Sequence, residues 1–295
     1  MKKLSFNVWG LLPVHLIMLF GLIIPIGIVI SVSFATKGAY GGFDYVFTLK
    51  AYQQILYNEG WTGGLEFNPQ YLYIIGRTLL LSVITTMICL LISFPVAYYI
   101  AQQKASRKAL LIYLVTLPFW VSMIVRVYSW LIILGNEGVI EKILRFTGLT
   151  DNIDSLLYNN GAMLLGMVYS YVPLMILPIF ASIEKLDGNL IEASHDLYGS
   201  RLTTLKRVII PLTKPGMVAG SILVFVPCLG SVLEPVLLGG GKNMMMGNLI
   251  TSQFGGARNW PFGSAIALVL MSLVVIALVI HGLRAADKDA RQEAL

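Results

Sequence analysis

The sequence predicts an all-α integral membrane protein with six transmembrane helices, and three observations predict it. First, only 12% of the 295 residues are charged and 57% are hydrophobic, against roughly 25% charged in soluble domains. Second, six stretches reach the about 20 apolar residues that a helix needs to cross a bilayer. They are Leu11–Phe34, Tyr71–Ala101, Leu110–Leu134, Gly161–Ile183, Gly216–Leu238 and Gly263–Leu283. Third, the basic residues are divided unequally between the connections. Thirteen lie in the N-terminus, Ala101–Ala109, Glu184–Pro215 and the C-terminal tail, and six in Ala35–Gln70, Gly135–Asn160 and Gly239–Phe262. The positive-inside rule then places both termini in the cytoplasm. The net charge of +6 is a topology signal rather than a nucleic-acid footprint.

The first span follows Lys2 and Lys3. Its apolar run exceeds the 7–15 residues of a signal-peptide core, so an uncleaved anchor is expected. The Ala35–Gln70 connection holds Gly41-Gly42, Trp61 and several tyrosines, the composition of a surface cap or interfacial element. Between spans three and four, Val139, Ile140, Ile143, Leu144 and Leu149 fit a short amphipathic helix. Cys89 and Cys228 sit in apolar runs with no disulfide or zinc spacing and read as packing residues. Pro118, Pro173, Pro178 and Pro227 lie within spans and permit kinks. No metal site or other cofactor is expected.

Glu192–Pro211, "EASHDLYGSRLTTLKRVIIP", is a polar, basic segment between two apolar spans. Glu192–Leu197 has helical composition, Gly199 suits a left-handed helix end, and Leu202, Leu205, Val208 and Ile209 recur at helical spacing. Pro211 and Pro215 punctuate the return to the membrane. A helix–bend–helix knob is predicted, rigid enough to transmit force. The plainer reading is a basic loop held by anionic headgroups.

On these residues the segment resembles the coupling loop of ABC-importer permeases, with its "EAA…G…I-LP" signature. Glu192 and Ala193 match it, Ser194 replaces a second Ala, and Pro211 falls at the expected spacing, with Asp196 between. The usual Gly position holds Tyr198, and Gly199 follows one residue later. "LLGGGKNMMMGNLITSQFGGARNWPFGSA" (Leu237–Ala265), "LPFWVSMIVRVYSWLIILGNEG" (Leu117–Gly138) and "FVPCLG" (Phe225–Gly230) are similar to permeases of spermidine/putrescine importers. Relatives tend to carry an acidic residue just after the "LG" of span five. Here Ser231 stands there, and the carboxylate is Glu234.

The resemblance implies a five-helix type I importer core (MetI-like) from spans two to six, with span one peripheral. It implies residues 1–70 as first helix and loop, 71–284 as permease core with the coupling segment at 184–215, and 285–295 as a cytoplasmic tail. The implied partners are two ATP-binding cassette subunits, a second related permease subunit, a periplasmic solute-binding protein and the bilayer, with no nucleic acid. The implied location is the bacterial inner membrane, and the implied cargo is a polyamine, imported by ATP-driven alternating access. The alternatives are another small solute (metal-chelate, thiamine-like or opine-like) or an ion-driven carrier. No "GxxxxGK[ST]" loop and no Ser/His/Asp set or "HExxH" occurs, so the chain is read as a transport subunit rather than an enzyme.

Charged residues inside spans default to functional roles. Counted along straight helices, Arg126 lies about 24 Å into span three and Glu234 about 27 Å into span five. They either pair and hold two helices together, or Glu234 faces the solute path with Arg126 limiting its affinity. A third reading has both snorkelling to the interface. Trp120 and Tyr128 offer aromatic faces for an ammonium group. Met244–Met246 and Trp260 read as a soft apolar surface.

Overall fold

The computed structural model describes residues 8–59, 64–147 and 156–293. Lys2, Lys3, Trp61 and Leu149 lie outside the described residues. Six helical segments are long and apolar enough to cross a membrane. The chain divides into two compact units, residues 1–72 with 249–295, and residues 73–248.

In the first unit, α1 (Val8–Ser33) packs along α13 (Trp260–Glu293). The connection after α1 contains two small antiparallel strand pairs. Strands β1 (Thr36–Lys37) and β2 (Phe43–Asp44) pair antiparallel with Thr36 opposite Asp44. Their turn uses Gly41 and Gly42 at φ +93° and +79°, where a side chain is strained. Strands β3 (Tyr57–Glu59) and β4 (Leu65–Phe67) pair with Tyr57 opposite Phe67. Between the hairpins lies α2 (Lys50–Gln53), whose Tyr52 hydroxyl is 2.9 Å from Ser33 Oγ. Phe34 stacks on Phe47 at 5.5 Å, and Phe43 meets Trp260 at 5.9 Å. Aromatic contacts thus tie this connection to the end of α1 and the start of α13.

In the second unit, most of α3 (Gln70–Ala101) presents Thr78, Ser82, Thr85, Cys89, Ser93 and Ala97 as one buried stripe of small side chains. Ser93 Oγ donates to Val172 O and Cys89 Sγ to Val168 O of α7 (Asn160–Glu184). Small residues let membrane helices approach closely, and side-chain hydroxyls bond across the seam. The principal partner of α7 is α10 (Ile210–Leu229). There Gly216 and Gly220, one helical turn apart, face α7 with no room for a methyl group. A Cβ at Gly216 would lie 2.4 Å from Ser182 Cβ and 2.6 Å from Pro178 O, and one at Gly220 2.8 Å from Met175 Sδ. The "GMVAG" sequence is a GxxxG seam.

Two expected spans are interrupted. Leu110–Leu134 is two helices, α4 (Ala105–Trp120) and α5 (Met123–Leu134), separated by extended Val121 and Ser122. Pro118 supplies no N–H to the last turn of α4. The third window long and apolar enough to cross runs Met123–Phe146. It contains a turn at Gly135–Gly138 before the amphipathic α6 (Val139–Phe146), which matches the helix read from the sequence. Gly216–Leu238 likewise ends its long helix at Leu229 and restarts as α11 (Leu233–Leu237). The depths counted along straight rods for Arg126 and Glu234 therefore do not hold. After α11 the chain turns through Gly240 and Gly241 at φ +69° and +68° into α12 (Met246–Phe254). Here the expected methionine surface is overturned. Met245 and Met246 are fully buried, Met246 N–H donates to Thr78 Oγ1 at 3.0 Å, and only Met244 reaches the surface. Burial of two unbranched thioethers fills irregular space that this tight loop leaves.

Candidate functional site

The 184–215 segment builds the knob that its sequence predicts. Asp187 caps α8 (Gly188–Asp196) by accepting from Asn189 N–H at 3.0 Å, which satisfies an otherwise orphan amide. At the other end Tyr198 N–H donates to His195 O at 2.9 Å and Gly199 N–H to Ser194 O at 2.9 Å. These are the two bonds of a Schellman motif. The left-handed residue is Tyr198, at φ +56°, not Gly199. So the residue standing where the resembled family has glycine takes the conformation glycine would supply. Gly199 is needed for a different reason: a Cβ there would lie 2.5 Å from Ser194 O.

The bend is cross-tied. Ser194 Oγ lies 2.8 Å from Thr204 Oγ1, and His195 Nδ1 lies 3.3 Å from Gly199 O. Ser200 caps α9 (Arg201–Thr204) by accepting from Thr203 N–H at 3.2 Å. The chain then runs through a wide π-helical turn, Leu205–Ile209, straight into α10. Pro211 stands at the start of α10 and has no N–H to give back to the widened turn. Glu192, Ala193 and Asp196 are exposed along α8, and Pro211 is also exposed. At the tip Leu197 and Tyr198 are 83% and 98% exposed. Beside it, a cleft of about 650 Å³ is lined by Tyr98 and Gln102 of α3, Ile191 and His195 of α8, and Arg201 and Thr204 of α9. An apolar tip on a hydrogen-bonded, capped scaffold suits a protein partner better than solvent. Below the knob, Lys108 of α4 bonds both carboxylate oxygens of Glu184 at 2.8–2.9 Å. Both residues keep solvent access, so this pair contributes at most about 1 kcal/mol.

A second polar site lies deeper in the same unit. Glu234 is completely buried on α11. Its Oε2 accepts from Ser231 Oγ at 2.5 Å. Gly166 of α7 makes room for α11, since a Cβ there would meet Leu238 Cδ1 and come within 3.5 Å of Glu234 Cγ. Arg126 is half-buried on α5, which packs against α11, but no ion pair joins the two residues. Tyr171 of α7 approaches the same region, its hydroxyl donating to Pro227 O at 3.5 Å. Trp120 and Tyr128 are not brought into this cluster. Trp120 is 81% exposed at the end of α4. Tyr128 is half exposed and stands about 200° around α5 from Arg126. Residue reading missed Ser231 as the carboxylate's partner, the Ser194–Thr204 tie and the Gly216–Gly220 seam. The spacing of the two glycines was the available signal for the seam.

Comparison with known proteins places these features in context. The family described as "Binding-protein-dependent transport system inner membrane component" matches residues 93–292. The chain is 36% identical over 264 residues to the spermidine/putrescine transport system permease protein PotB of Haemophilus influenzae, covering 90% of this chain and 88% of that one. It is 34% identical over 258 residues to PotB of Escherichia coli (strain K12), covering 88% and 90%. Its fold superposes with a TM-score of 0.70 on a chain from a bacterial ABC transporter involved in the import of the acidic polysaccharide alginate. That match covers 94% of this chain and 95% of that one at 16% identity.

Proposed function

This chain belongs to the binding-protein-dependent transport system inner membrane components, and from that premise we propose that its cargo is a polyamine such as spermidine or putrescine. It is a permease subunit of an ABC importer and not an enzyme; ATP hydrolysis lies in separate subunits. In our reading it works with two ATP-binding cassette subunits, a second related permease chain and a periplasmic binding protein. Both termini and the 184–215 segment then face the cytoplasm, where ATP is available. The segment transmits ATP-driven closure through Glu192, Ala193, Ser194, Asp196, Tyr198, Gly199 and Pro211.

The observation that carries this reading is the Leu197–Tyr198 tip, apolar and exposed, standing on a bend tied at both ends. A tip that flexed independently would dissipate movement of a docked ATPase. This one passes through α9 and the π-turn without a break into α10, and so into the seam with α7. Polyamine transport by relatives similar over nine-tenths of the chain supports the choice of solute. The test is uptake of labelled spermidine and putrescine into vesicles holding the assembled complex, with and without ATP. ATP-dependent uptake is expected. Solute-stimulated ATP hydrolysis without polyamine uptake would keep the importer and discard the polyamine.

A further inference from the structure

Five side chains in the 73–248 unit carry buried polar atoms with no partner, the hydroxyls of Ser82, Thr85 and Ser170 and two charged groups, Glu234 and Arg126. Glu234 Oε2 is held by Ser231, but Oε1 is buried and accepts nothing. Arg126 Nε and Nη1 are buried and donate to nothing. Leaving such groups unsatisfied is unfavourable, and far more so for charged ones. Two neighbouring helices therefore hold opposite unmet demands and do not meet each other's.

Geometry makes a later meeting feasible. Helix α5 is set off from α4 by extended Val121 and Ser122 and ends at Gly135. Helix α11 is five residues long, set off from α10 at Gly230 and followed by glycines 239–241. Each of these pieces is bounded by breaks at both ends, so either can shift as a unit without bending a continuous rod. The free Oε1 is a carboxylate acceptor without a donor. A primary ammonium, with three donors on a compact charge, can supply the donor that Oε1 lacks.

We propose that Glu234 is an ammonium-binding residue of the transport path and that Arg126 is its intramolecular competitor. The inference rests on the polyamine reading above. In the state described here Oε1 is buried and unpaired; a shift of α11 uncovers it to an ammonium group of the solute. In the opposite state the Arg126 guanidinium takes Oε1, and the solute, having lost its counter-charge, is released. One carboxylate thus alternates between a mobile cation and a tethered one. Neither atom is then left unpaired through the whole cycle.

The experiment measures labelled putrescine retained by the purified, assembled complex without its binding protein, alongside ATP-driven uptake in vesicles. The variants are Glu234→Gln, which preserves shape, and Arg126→Gln. Loss of a charge-assisted hydrogen bond predicts about tenfold less retained putrescine for Glu234→Gln. Removal of the competitor predicts the opposite sign for Arg126→Gln, more retained putrescine with slower uptake. Both variants are expected to purify as the assembled complex. Unchanged retention and uptake in Glu234→Gln would overturn the proposal. So would assembly lost in each single variant and restored in the double variant, which marks a purely structural pair. Wild-type complex that hydrolyses ATP but takes up no putrescine fails at the earlier step, the choice of solute, and the ammonium assignment falls with it.

Discussion

At Gly199 a methyl group would sit 2.5 Å from the Ser194 carbonyl oxygen, the acceptor of the bond that closes the α8 cap. Gly199→Ala is therefore expected to open the bend, with a cost of about 1–3 kcal/mol from overpacking. Faster amide exchange across residues 188–205 in the assembled complex, with ATP-driven uptake reduced, would report it. Tyr198 presents the converse case. It bears a side chain at φ +56°, so Tyr198→Gly relieves roughly 1–2 kcal/mol of backbone strain. Slower exchange in the same segment is expected, but weaker coupling, because the 98% exposed ring is lost from the tip. Faster exchange would show that the ring, not the cap, holds the bend. The chain announces a helix end at Tyr198-Gly199 by composition, since glycine is the usual left-handed residue. It does not announce which of the two turns left-handed. The Ser194 carbonyl occupies the space beside Gly199 and explains why that position carries no side chain, and no local pattern encodes a carbonyl's position.

Elements were legible where apolar length alone defines them and less so where a helix breaks. Spans one, two, four and six match their helices within a few residues at nearly every end, with α13 running on past span six. Spans three and five do not, because average hydropathy is blind to two extended residues at Val121–Ser122 or to a restart after Gly230. Pro118 and Gly230 were the local signals. In the proposed coupling, force from the knob reaches the α7–α10 seam. Gly220→Leu would drive a side chain into Met175. A loss of about 1–3 kcal/mol is expected, seen as a lower thermal midpoint of the purified complex and poor recovery of the assembled form. A Gly220→Leu complex as stable as wild type would mean that α7 and α10 separate freely, and the seam could not carry the stroke. The stripe on α3 was hidden for another reason. Thr78, Ser82, Thr85 and Ser93 read as neutral interruptions in an apolar run, and only their burial, with the α7 backbone at Ser93 and the Met246 amide at Thr78, shows them to be a contact surface.

On the scale of the whole molecule, the family, the six membrane-crossing segments and the absence of a phosphate-binding loop were all readable, since each depends on composition or on a contiguous motif. The candidate site was readable only in part. Glu192–Pro211 is contiguous, and its helix–bend–helix shape was readable; its docking role remains part of the proposal. The deep site gathers Arg126, Tyr171, Ser231 and Glu234 from three helices and the link before one of them, and sequence spacing brought only the two charges together. In the proposed path, ATPase closure at the tip passes through the bend and π-turn into α10 and rearranges the short helices around Glu234. Its most direct test is the number of putrescine molecules imported per ATP hydrolysed, recorded in one vesicle preparation of the assembled complex, with wild-type chain and with Glu192→Lys. The account predicts coupled uptake in the wild type, and loss of both uptake and stimulated hydrolysis in the variant while the complex stays assembled. Uptake that persists at the wild-type ratio after the charge reversal, or that proceeds without any ATPase, would contradict it.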